Sequence, residues 1–133
     1  MALNFPLFPE LQKYLRQVEA IKQDANELVD GLAKEQLNWR PDPSRWSIAE
    51  CLEHLNMTAR IYFPVLIQTI NEARANGVVS HGPFRYGWFG NWFVRSAEPP
   101  PKLKLKAPRR FVPPPDLPMS EVWPGFLSFQ ERL

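Results

Sequence analysis

With one cysteine in 133 residues, the chain can neither close an internal disulfide nor build a multi-thiolate zinc site. Cys51 therefore reads as a small buried hydrophobe rather than a reactive group, and a reducing compartment is favoured. No stretch approaches 18 uninterrupted apolar residues, which argues against a membrane-spanning helix. The start, MALNFPLFPE, has neither a basic leading region nor a long apolar run, so no secretory signal is read there and the cytoplasm is the default location. Histidine is scarce as well: His54 and His81 are the two in the chain.

What remains is ample for a core. A hydrophobic content of 44% over this length suits a single domain over residues 1–133 and is too short for two comfortable ones. The net charge of +2 says little until it is located. Residues 82–118 hold seven Lys/Arg against Glu98 and Asp116, a local balance of +5, which leaves −3 for the rest.

In PELQKYLRQVEAIKQDANELVDGL, apolar residues from Leu11 through Tyr14, Leu15, Val18, Ile21, Ala25, Leu28 and Val29 to Leu32 recur at steps of three and four. This predicts a first helix over about residues 9–31, opened by Pro9 and closed near Gly31. The connection AKEQLNWRPDPSRW follows, broken by Pro41 and Pro43. Its Trp39 and Trp46 read as plugs at one end of a bundle.

Ser47 followed by Glu50 is a capping box, so a second helix starts there and runs to about Asn76, ended by Gly77. Pro64 inside it removes the hydrogen bond to the Arg60 carbonyl and predicts a kink. His54 falls on the flank of the broad apolar face of this helix, aligned with Cys51 and Thr58. A lone histidine in that position is usually a hydrogen-bonded structural residue, and a metal needs three or four converging ligands. Glu50 is explained as the capping carboxylate and Glu53 as solvent-facing; neither is given a catalytic role.

Farther on, GPFRYGWFGNWFVRS holds six of the 17 aromatics, and GWFGNWFVRS suits a short aromatic helix. AEPPPKLKLKAPRRFVPPPDLP holds eight of the 15 prolines and reads as a long extended crossover. SEVWPGFLSFQERL reads as a further amphipathic helix, with Ser120 as its N-cap and Pro124 tolerated near the first turn.

The stretch LNWRPDPSRWSIAECLEHL, with its paired tryptophans, its prolines, the capping box and the histidine in order, resembles the N-terminal signature of the DinB-like superfamily. The resemblance is good from about Leu11 to Ala75. It implies an all-α four-helix bundle with long crossover connections and, in many members, a divalent metal held by three histidines. One of those is on the second helix, where His54 stands; the other two form a His-x3-His pair on the last helix. Nothing after His54 resembles such a pair.

The expectation is therefore a DinB-like bundle that is incomplete at its C-terminus, with three helices plus the proline-rich connection. An apolar groove would be left open, to be covered by a further helix or by a second chain in a homodimer. The resemblance implies a metal-dependent hydrolase or thiol-dependent transferase acting on a small molecule. Its divalent ion, zinc or nickel, would lower the pKa of a bound nucleophile and be weakly held or absent in this chain. The alternative is a non-catalytic interaction module using the aromatic and basic segment 82–110 or the open groove. Nucleic acid and membrane are the disfavoured partners, because the local charge is modest and the prolines suit a packed connection.

Overall fold

The computed structural model describes residues 8–80, 82–100 and 106–133. These form α1 (Pro9–Val29), a single-turn α2 (Lys34–Leu37), α3 (Ile48–Ala75), α4 (Trp88–Ala97), a 3-10 turn at Arg109–Phe111 and α5 (Met119–Glu131). No strand occurs among the described residues. The all-α class and the two long N-terminal helices match the sequence reading.

The ends of α3 are built by its own sequence. Ser47 Oγ accepts from the Glu50 N–H at 3.1 Å while the Glu50 carboxylate accepts from the Ser47 N–H at 2.8 Å, so two orphan donors are satisfied reciprocally. At the other end the Val78 N–H reaches the Ala73 carbonyl and the Gly77 N–H reaches that of Arg74. This Schellman pair needs a left-handed residue, which Gly77 supplies at φ +64°.

Two elements differ from expectation. The segment read as pure connection contains α2, whose Ala33 N–H is capped by Gln36 Oε1 at 2.8 Å. Ser120 is not an N-cap: α5 starts at Met119 after an extended Pro118, because that proline sets the start two residues earlier. Pro124 consequently lies at the sixth helical position rather than in the first turn.

α5 runs parallel to α3. Asn56 Nδ2 of α3 donates to the Val122 carbonyl at 3.0 Å, and Phe63 meets Phe129 edge to face at 5.5 Å; both pairs step forward by seven residues. Parallel neighbours need a crossover, and the proline-rich connection after α4 provides it. α1 is antiparallel to both, since Ala25 and Val29 at its end pack on the core where α3 begins. That core is small: Ala49, Leu52, Leu117, Val122 and Phe126, all in the half of the molecule around the start of α3. Many apolar side chains elsewhere are exposed, Tyr62, Leu66 and Ile70 of α3 among them.

Candidate functional site

The best-organised polar cluster lies over the first two turns of α3. Glu50, 1% exposed, accepts from Arg40 Nε at 2.9 Å and from a second guanidinium nitrogen as well. The bidentate pair ties the proline turn to the helix cap. The hydrogen bond from Arg40 holds the Glu50 carboxyl below its ordinary value, assisted by the Ser47 N–H against the opposing cost of burial. The same pair raises Arg40 further. Capping alone did not explain this carboxylate, and nothing in the spacing of Arg40 and Glu50 announced the pairing.

One turn onward, His54 Nδ1 lies 2.7 Å from the Phe111 carbonyl. A carbonyl can only accept, so Nδ1 carries the ring proton and Nε2 of the neutral ring keeps its lone pair. The Trp46 ring, 5.0 Å away centroid to centroid, and the Phe111 ring at 6.3 Å flank the imidazole. Phe111 is itself held by a stacked Tyr62 at 6.2 Å and by the Arg110 guanidinium 4.8 Å above its ring. Thr58 Oγ1 donates to the His54 carbonyl at 2.8 Å. The crossover thus fixes the orientation of the histidine, a role the sequence signalled only by one large apolar residue, Phe111, set between prolines.

The neighbours of His54 depart from the sequence reading. Cys51 is exposed rather than buried, because the core occupies the face of Leu52 and Asn56. Partial desolvation first, and the Glu50 carboxylate second, push its thiol up, which lowers its thiolate fraction and its nucleophilicity. Glu53 does not face water: its side chain is 13% exposed and bonded to Arg60 at 2.6 Å and Asn56 at 3.1 Å. Trp46 is half-buried at the histidine, whereas Trp39, 65% exposed, plugs nothing.

His54 is the residue at which the family resemblance would place a metal ligand. Its Nδ1 is anchored to a carbonyl, as ligating histidines often are and as structural histidines are too. A donor set is a different matter. Among the described residues no three His, Cys, Asp or Glu side chains come together in a way that could hold an ion, and His81 lies outside those residues. One imidazole does not fit a resident divalent ion, which needs about three protein ligands at least.

No described helix is long and apolar enough to cross a membrane. A family model described as the DinB superfamily matches residues 17–120, a span that contains the capping box, His54 and the crossover. No curated protein matches the chain, and no solved structure does.

Proposed function

The chain belongs to the DinB superfamily, and from that premise we propose that it is a DinB-like domain whose His54 supplies one imidazole to a divalent-metal centre, zinc or nickel. Among the described residues no three donors come together around it, and the reaction class is metal-dependent hydrolysis or thiol-dependent group transfer on a small molecule. One observation supports this reading above the others: His54 Nδ1 is anchored on the Phe111 carbonyl, which leaves Nε2 for an ion.

The test supplies the missing donors from solution. Zinc held by iminodiacetate has three positions filled and takes one further ligand, as a tetrahedral ion requires. In a His81→Ala background, titration with this complex is expected to shift the ring nitrogen Nε2 of His54, and His54→Ala is expected to lose the binding. Equal binding by the His54→Ala protein would sink the ligand assignment.

A second reading, a non-catalytic interaction module, has its own observation. Trp88, Phe89, Trp92 and Phe93 line one arc of α4, and each is more than half exposed, Trp88 at 85%. Arg95 flanks the arc. If this face meets a polyanion, retention on heparin should fall steeply with salt; retention independent of salt would remove that reading.

A further inference from the structure

α4 wears its apolar side outward. At roughly 100° per residue, Trp88, Trp92, Phe89 and Phe93 share one arc, and each is more than half exposed. Gly90 and Val94 fall on the opposite side and are half-buried, and no residue of the helix is fully buried. The tie to α1 runs through Tyr86, whose carbonyl accepts from Asn91 Nδ2 at 3.2 Å and whose hydroxyl bonds that of Tyr14 at 2.8 Å. Those contacts use the polar side of the helix and leave the four rings uncovered. The prolines that follow suit a segment packed on the bundle, yet the helix ahead of them is not packed there.

The chemistry of the arc narrows what covers it. The Phe89 and Trp92 rings touch, with centroids 5.7 Å apart, so the arc is a continuous apolar strip rather than a set of separate planes on which successive bases could stack. A helix of ten residues is about 15 Å long, roughly half the thickness of a bilayer's hydrocarbon core. It can lie along a membrane surface but cannot cross one. Tryptophan and phenylalanine on one side of such a helix suit the boundary between headgroups and acyl chains.

Charge selects the kind of surface. Residues 82–106 carry Arg85, Arg95 and three lysines against Glu98, a balance of +4. Neither arginine has a carboxylate partner among the described residues. Arg95 borders the arc beside Trp88, and the two line a shallow hollow of about 320 Å3 together with Asn91, Trp92 and Ser96. A lipid phosphate seated there would meet the guanidinium while the rings enter the layer below. Insertion by so short a helix is weak alone and needs a second signal, which basic residues beside it supply at an anionic leaflet.

We propose that α4 is an interfacial anchor: its aromatic arc inserts into an anionic lipid surface, with Arg85 and Arg95 on the headgroups. This rests on the interaction reading of α4 and stands apart from the metal reading, because no residue of the His54 cluster takes part.

Co-sedimentation of the full chain with vesicles tests it, using phosphatidylcholine alone or with about one-quarter phosphatidylserine. The protein is expected to sediment with the mixed vesicles and to stay in solution with phosphatidylcholine alone. Trp88→Ser with Trp92→Ser should weaken the binding at least about tenfold, and Arg85→Gln with Arg95→Gln about tenfold. Trp88→Phe with Trp92→Phe keeps the apolar area and should retain most of the binding, a contrast that a loss of folding would not produce. No sedimentation with the mixed vesicles, equal sedimentation with both kinds, or binding indifferent to the serine pair would each overturn the proposal. Salt-sensitive retention on heparin without vesicle binding would overturn it too, while leaving the interaction reading in place.

Discussion

Glu50 does two jobs with one carboxylate: it closes the capping box of α3 and anchors Arg40. Its pKa is lowered, so the stability it contributes is fully present above the unfolded value of about 4.3. That stability is lost as the pH falls through the lower folded value. Urea midpoints are expected to drop between pH 5 and pH 3 more in the unaltered protein than in Glu50→Gln, which has no such group to protonate; parallel curves would contradict this. At pH 7 the same substitution should lower the urea midpoint, because Arg40 and the Ser47 N–H lose a charged acceptor. His54→Ala should cost about 1–3 kcal/mol by urea denaturation, since the carbonyl of a buried Phe111 loses its donor. The capping box was legible because it is local, set by residues three apart. The carbonyl that orients His54 comes from 57 positions away, and no periodicity within α3 encodes it.

Among the elements, α5 is held in register on α3 by a close approach at Gly125, where a Cβ would lie 3.2 Å from Asn56 Nδ2. Asn56 spends that nitrogen on the Val122 carbonyl and on Glu53, while its buried Oδ1 has no partner among the described residues. Gly125→Ala is expected to push the helices apart at a cost of about 1–3 kcal/mol in thermal or urea denaturation; a neutral result would mean that the contact is looser than this geometry. Pro124, exposed and mid-helix, denies the Ser120 carbonyl its partner, so Pro124→Ala should raise helicity and increase the free energy of unfolding in urea by about 1 kcal/mol or more. The existence of α1, α3 and α5 followed from their apolar period, that of α3 also from its capping box, and α4 was read as a short aromatic helix from its composition. The start of α5 did not, because Pro118 and Ser120 both offer start signals and the chain takes the earlier one. The α2 turn escaped for a similar reason: four residues are too few for a period to register.

In the whole molecule, the core gathers at one end, where α3 begins and α5 crosses it, and the apolar faces of α1, α3 and α4 are left toward solvent. Composition foretold a core and family resemblance foretold the bundle. Where that core would sit, and which stripes it would leave uncovered, depended on how far α5 runs along α3, a tertiary quantity that no single segment carries. The His54 corner lies at the covered end, braced by Trp46, Phe111 and the Arg40 to Glu50 pair, so the functional reading rests on the best-packed part of the fold. Its central claim requires the neutral imidazole to carry its proton on Nδ1, and the ring-nitrogen NMR spectrum of the His81→Ala protein, recorded with the ring neutral, reads that tautomer. The account predicts the proton on Nδ1, bonded to the Phe111 carbonyl, and a bare Nε2; a proton on Nε2 with Nδ1 bare would contradict it.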